Sequence, residues 1–267
     1  MSALKDQLYL WNGLLLYAAS GHRNDWHSHY AASLIISLDA PFRLELREGV
    51  DETLQGCILA PNAENRVHIP GRFVSILADG DSSIFEPLAP LLNGKNWAAI
   101  DNKIIQKIKQ PLLKISEAAP DGDHVRNIID DCIETITGQR PRPLAVSLDR
   151  RISQVLRLIR EALPAEPDTD ALAEAVELSR SRLLHLFKEQ LGLPMGQYIL
   201  WLRLFNAAKA WDEGQSITEA AHAAGFYDQS HYTRTMRKML DITPSTLTRN
   251  PQLEIHRCWE DEHNTKQ

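Results

Sequence analysis

Hydrophobic positions fall into two textures along this chain. From about residue 8 to residue 80, short apolar runs alternate with turn residues. Leu8-Tyr9-Leu10-Trp11, Asn12-Gly13 and Leu14-Leu15-Leu16-Tyr17 predict a hairpin closed by a type I′ turn, because Asn-Gly tolerates the two positive φ values such a turn needs. Further strands are expected at 33–38, 42–47, 54–60, 66–69 and 73–78. Phe42, Leu44 and Leu46 alternate along one of them, and Pro41, Gly49, Pro61-Asn62 and Pro70-Gly71 punctuate the series. Many short strands between frequent turns predict a small β-barrel or sandwich.

From about Ser83 the spacing becomes helical. Ile100, Ile104, Ile105 and Ile108 form one stripe up to Pro111, and Val125, Ile128, Ile129, Cys132, Ile133 and Ile136 form another up to Gly138. Such stripes are most often core. The segment Gly138-Gln139-Arg140-Pro141-Arg142-Pro143 is too rich in proline for helix and is the expected hinge. An amphipathic helix over Arg151 to Leu163 follows it. The segment after Pro251 is polar, with Trp259 its one large aromatic.

Between Asp170 and Arg249 one pattern of short helix, tight turn and second helix occurs twice. The first copy runs from Leu172 to Lys188 and the second from Ile217 to Arg237. Ala173 and Ala221 are small enough for a close helix crossing, and Gly225 supplies a left-handed turn residue. The first copy has no glycine there and is one residue tighter. Ser179 and Asp228 stand where a side-chain oxygen would cap the second helix. Leu183, Leu186 and Phe187, and likewise Tyr232, Met236 and Met239, give each second helix a buried stripe.

The opposite faces carry Arg180, Ser181, Arg182, His185 and Lys188 in the first copy, and Gln229, Ser230, His231, Thr233, Arg234 and Arg237 in the second. Arg forks onto guanine or phosphate, Gln pairs with adenine, and Ser or Thr donates to phosphate, so with the caps Ser179 and Asp228 these are the candidate DNA-binding residues. Any one of them could equally be a solvated face; two such faces at matching places favour double-stranded DNA. The apolar run Gln197–Trp211 between them predicts a buried helix holding the two at a fixed separation, near one DNA turn of ~34 Å.

The run Tyr198, Arg203-Leu204, Ala207, Ile217, Ala221, Gly225-Phe226, Asp228, Arg234 and Pro244-Ser245 resembles the DNA-binding domain of the AraC/XylS family of bacterial transcription regulators. Three departures stand against the family pattern: Asp241 in place of glycine, Met236 in place of phenylalanine, and Leu247-Thr248 in place of an aromatic-arginine pair. The resemblance implies a sequence-specific regulator that forms a homodimer, with one helix of the 83–147 region packing across the two-fold axis, and RNA polymerase as a further partner.

In the strand-rich part, Gly21 precedes His27-Ser28-His29 and is followed later by His68, which resembles the cupin-type sensor domain found at the N-terminus of many such regulators. Two His two apart on a strand point the same way, and a third could complete a metal site. The carboxylate expected after His29 is missing, so the leading reading is a polar lining of an effector pocket by Trp26, His27, His29, Arg66 and His68, with no cofactor. Structural hydrogen bonding by the same histidines is close behind, and metal binding by His27, His29 and His68 is the lesser reading.

The net charge is -6 over 267 residues, and residues 148–250 hold 13 Lys and Arg against 13 Asp and Glu. Nonspecific coating of nucleic acid is thereby disfavoured, and the distribution of the basic residues has to carry any DNA affinity. Three widely separated cysteines, Cys57, Cys132 and Cys258, suggest no disulfide framework, and no signal peptide or membrane span is read, so a cytoplasmic location is expected. The expected fold class is α+β with two domains. It comprises a cupin-like sensor β-barrel (1–82), a helical dimerisation or linker region (83–147), an all-α domain with two helix-turn-helix motifs (148–250) and a tail (251–267). The expected function is an effector-responsive transcription regulator without catalytic residues. Its rivals are a cupin metalloenzyme fused to a DNA-binding module and a regulator controlled by a protein partner.

Overall fold

The structure is a computed structural model that describes residues 5–11, 13–79, 82–142, 148–240, 243–245 and 250–258. It divides into two compact units, one made of Met1–His27, Ala31–Arg142 and Asn250–Gln267, the other of Ser28–Tyr30 and Pro143–Arg249.

In the first unit the strands are β1 (Asp6–Trp11), β2 (Leu14–Arg23), β3 (Ala32–Ser37), β4 (Phe42–Leu46), β5 (Val50–Leu54), β6 (Gly56–Leu59), β7 (Asn65–Ala78), β8 (Trp97–Ala99) and β9 (Leu253–Arg257). The helices are α1 (Phe85–Leu92), α2 (Asn102–Ala118) and α3 (Gly122–Thr137). One sheet runs in the order β8-β6-β3-β7-β2-β1-β9, with β4 joined to β7 and β5 to β4. Among the described strands the pairing is an open path, so the expected cupin-like barrel or sandwich is present as a curled mixed sheet that does not close.

Alternation along the strands sends side chains to two cores. Leu14, Leu16 and Ala18 of β2 and Val74, Ile76 and Ala78 of β7 enter the core shared with α1, α2 and α3. Val67, Ile69 and Phe73 of β7 turn to the other face, against Phe42, Leu44 and Leu46 of β4. Both isoleucine stripes are spent inside the first core: Ile105, Ile108, Val125, Ile129 and Ile133 are all buried there.

The predicted hairpin joins Trp11 to Leu14 in register, and Gly13 has φ +72°; Asn12, on which the type I′ reading also rests, lies outside the described residues. A Cβ on Gly13 would run into the Asp79 carboxylate, so this position needs glycine twice over. The expected strand 54–60 is two strands, β5 and β6. The expected strands 66–69 and 73–78 are one, β7, which passes through Pro70-Gly71. It can do so because β7 changes partner there. Residues 65–68 pair with β4, residues 73–78 with β3, and against β2 the register shifts so that Pro70-Gly71 faces Gly21 alone. Proline lacks an N–H, and this bulge asks for none. Helix α2 likewise continues through Pro111 to Ala118, and its N-terminus is capped by the Asp101 side chain, which accepts from Lys103 N. The segment after Pro251, read only as polar, forms β9, a parallel partner of β1.

The second unit is helical: α4 (Arg150–Ala162), α5 (Thr169–Ala175), α6 (Arg180–Leu191), α7 (Met195–Asp212), α8 (Ile217–Ala223) and α9 (Gln229–Leu240). Helix α7 packs on α6, α8 and α9 and buries Tyr198, Trp201, Leu204 and Phe205. Among the described residues no helix is long and apolar enough to cross a membrane.

Candidate nucleic-acid interface

Two helix pairs, α5 with α6 and α8 with α9, repeat one local construction. In each the second residue after the first helix turns left-handed, Glu177 at φ 55° and Gly225 at φ 84°. Backbone bonds close the turn in the same way: Leu178 N–H donates to Ala173 O and Phe226 N–H to Ala221 O, both at 2.9 Å. The two small residues are buried under the turn, as a close helix crossing requires. Ser179 Oγ then accepts from Arg182 N at 3.3 Å, and Asp228 Oδ1 from His231 N at 2.6 Å, so both caps hold their helices. Helix α8 carries a capping box in addition, between Ser216 and Glu219.

Burial of one stripe fixes which face remains outside. Leu183, Leu186, Phe187 and Leu191 of α6 are buried, as are Tyr232, Thr235, Met236 and Met239 of α9. Phe187 meets Tyr198 of α7 edge-on at 5.6 Å, and Phe226 meets Tyr232 at 5.2 Å. Met236 therefore does fill the core position where the family pattern has phenylalanine; Asp241 and Leu247-Thr248 lie outside the described residues.

On α6, Arg180, Ser181, Arg182, His185 and Lys188 are exposed, together with the cap Ser179. On α9, Gln229, Ser230, Arg234 and Arg237 are exposed, whereas Asp228, His231 and Thr233 are half-buried. The His231 ring stands against Phe226 at 5.3 Å, which leaves it less available than its neighbours. Arg182, Lys188, Arg234 and Arg237 form no ion pair with any described residue. Arg180 is held by Asp170 at 3.1 Å and His185 lies 3.9 Å from Glu189. Gln229 Oε1 accepts from the Thr218 hydroxyl at 2.8 Å, which fixes the orientation of its amide.

Arg203 on α7 braces the second turn. It donates to Pro164 O, Ala165 O and Glu166, the last at 2.6 Å, and a Cβ at residue 225 would strike both Pro164 O and the Arg203 guanidinium. Two features escape the sequence reading. Tyr227 is 84 % exposed in the turn just before α9, and it is the residue by which the second turn is longer. Glu177 takes a glycine-like conformation that its residue type does not announce.

The histidines of the strand-rich unit are dispersed. His27 forms a backbone bridge with Asn65, and its Nδ1 lies 3.1 Å from Asp25 O. His68 is exposed on β7, opposite Arg43 and Arg23. His29 falls in the short segment that groups with the helical unit, where its Nδ1 bonds the Met239 carbonyl. Arg66 is engaged by both Glu45 oxygens at 2.8 and 2.9 Å, which holds the Glu45 carboxyl below its ordinary range, and Trp26 lies beneath Arg47 and Arg66. Among the described residues no three His, Cys, Asp or Glu side chains gather as a metal cluster.

A helix-turn-helix domain family matches residues 172–250. The chain is similar to the probable transcription factor PqrA of Proteus vulgaris, 31% identical over 91 residues, 34% of this chain and 75% of that protein. It is also similar to the transcriptional activator RhaS of Citrobacter koseri, 29% identical over 104 residues, 39% of this chain and 37% of that one. The match thus spans little more than a third of the RhaS relative's length. In fold the chain is similar to ToxT of Vibrio cholerae, with a TM-score of 0.54 at 12% identity over 88% of this chain and 95% of that one.

Proposed function

The chain belongs to the AraC/XylS family of helix-turn-helix proteins, and from that membership we propose that it is a sequence-specific DNA-binding transcription regulator. The observation that carries the proposal is the pair of equivalent second helices, α6 and α9, each presenting on its outer face cations that pair with no acid among the described residues, while its inner face is buried. A helix of this kind enters the major groove, where Arg182 and Arg234 can fork onto guanine and Gln229 can pair with adenine. Lys188 and Arg237 serve phosphates as point charges, and Arg180 exchanges its Asp170 partner for DNA.

The first unit is assigned the sensing role. ToxT has been solved with an unsaturated fatty acid bound, which supports a small-molecule effector for a chain of the same fold. A homodimer and contact with RNA polymerase complete the proposal. Because the α2 and α3 stripes are buried within one protomer, a dimer formed by these helices uses their outer, charged faces.

Purified protein incubated with genomic fragments at two salt concentrations, with the retained fragments sequenced, tests the central claim. A discrete motif is expected, and Arg182→Ala or Arg234→Ala should lower its enrichment. Retention without sequence preference, unchanged in both variants, overturns the assignment.

A further inference from the structure

Among the described residues three large apolar side chains stand exposed: Leu91 on α1, Tyr227 in the turn before α9, and Leu184 on α6. Leu184 alone of the three lies within a helix face assigned to DNA. Its direction follows from the helical period. Leu183, Leu186, Phe187 and Leu191 turn inward, and Leu184, about 100° further round the axis than Leu183, turns away from them. There it shares a strip of surface with Ser181, three residues before it, and Lys188, four residues after it, both exposed. An apolar side chain is thus set among polar ones on the outer side of the helix.

The internal repeat supplies the second observation. With the caps Ser179 and Asp228 aligned, the buried Leu183, Leu186 and Phe187 fall on the buried Tyr232, Thr235 and Met236, and Lys188 falls on Arg237. Leu184 then falls on Thr233, a residue of the second copy already expected to meet DNA, and both side chains end in methyl groups. Charge supplies the third. Residues 148–250 are neutral overall, so a contact that needs no charge adds affinity that the few outer cations do not supply. On the base edges of the major groove, the apolar feature is the 5-methyl group of thymine. We propose that Leu184 reads a thymine by seating its side chain on that methyl group, so that the half-site met by α6 carries a thymine fixed by apolar contact. Leucine has no hydrogen bond to leave unmet, so it favours thymine only through the water displaced from two apolar surfaces. The preference is therefore graded, unlike that of a forked arginine.

This inference rests on the DNA-binding reading, and its test separates the two. The probes are duplexes carrying the motif enriched from genomic fragments, with each thymine replaced in turn by uracil, which removes the methyl group and leaves base pairing and phosphates unchanged. One replacement should weaken wild-type binding about fourfold, the equivalent of ~0.8 kcal/mol for one buried methyl-sized group. The loss should be the same at two salt concentrations, because no charge has changed. In Leu184→Ala the loss at that thymine should shrink to less than about twofold, whereas Leu184→Met, which keeps an apolar side chain of similar size, should retain it. Leu184 is exposed, so these replacements spare the fold. Specific binding in which no uracil position couples to Leu184, or an affinity indifferent to Leu184→Ala, overturns the proposal and leaves the DNA-binding reading standing. Absence of any sequence-specific motif overturns both.

Discussion

Residue 177 is a glutamate doing what residue 225 does as a glycine. Both hold the left-handed backbone that lets the second helix of a motif cross the first, but only glycine does so without a steric penalty. Glu177→Gly should therefore stabilise the helical unit by about 0.5–1 kcal/mol, read as a rise in its urea midpoint. Gly225→Ala should do the reverse by about 1–3 kcal/mol, because φ is positive there and the new methyl meets Pro164 O and Arg203. The Gly225-Phe226 turn was legible in the sequence because a residue type marks it; the first turn was placed only by analogy, since backbone conformation at Glu177 leaves no compositional trace. The same limit applies to Arg180. Its place on the exposed face follows from helical spacing, but the Asp170 that neutralises it comes from the preceding helix. Asp170→Asn should tighten DNA binding a few-fold at low salt and have no effect at high salt, where the exposed pair is already screened. Fluorescence anisotropy on one operator at two salt concentrations measures this.

At the scale of elements, periodicity found the strands that alternate and the helices that cap, and it erred wherever a proline is tolerated by pairing that the sequence does not encode. Pro70 was taken as a strand end, yet β7 continues because one partner strand finishes before it and another begins after it. Pro111 was taken as the end of a stripe, yet Leu112, Leu113 and Ile115 carry α2 onward into the core. The least legible element is β9, whose alternating Leu253, Ile255 and Arg257 are too few to signal a strand without β1 beside them. His256 anchors it: the ring stacks on Tyr9 at 4.2 Å, and Nε2 lies 2.6 Å from Gln7 Oε1. Partial burial lowers the His256 pKa, with Glu254 opposing weakly. A folded pKa below the unfolded one means the unfolded chain binds the extra proton, so this contribution is intact above about pH 6.5 and is lost as pH falls through that value. Amide exchange in β9 should accelerate between pH 7.5 and pH 5.5 beyond the intrinsic chemical change. In His256→Gln that excess should vanish; an unaltered excess would assign the pH response to another group.

For the whole molecule the decisive quantity is where the charge lies. A neutral reading region in an acidic chain cannot bind DNA by bulk attraction, so affinity has to come from the few cations placed on α6 and α9. On the proposed reading Arg180, Lys188 and Arg237 meet phosphate while Arg182 and Arg234 read bases, and neutralising about three phosphates gives a slope of log affinity against log salt near −3. Arg182→Ala and Arg234→Ala should each cost ~1–3 kcal/mol on the specific site if the side chain reads a base, whereas a phosphate contact would be lost equally from all sequences and would lower the slope by about one. Helix α7 packs on both motifs, which predicts that they meet DNA at a fixed spacing. Inserting five base pairs between the two half-sites turns one of them to the far side of the duplex, since a turn is about 10 base pairs. Binding should then fall to what one motif achieves, and the alanine variant of the disengaged helix should become silent while the other keeps its full effect. If both variants still weaken binding to the shifted site, the two helices are not held in register by α7, and the chain reads its half-sites one at a time.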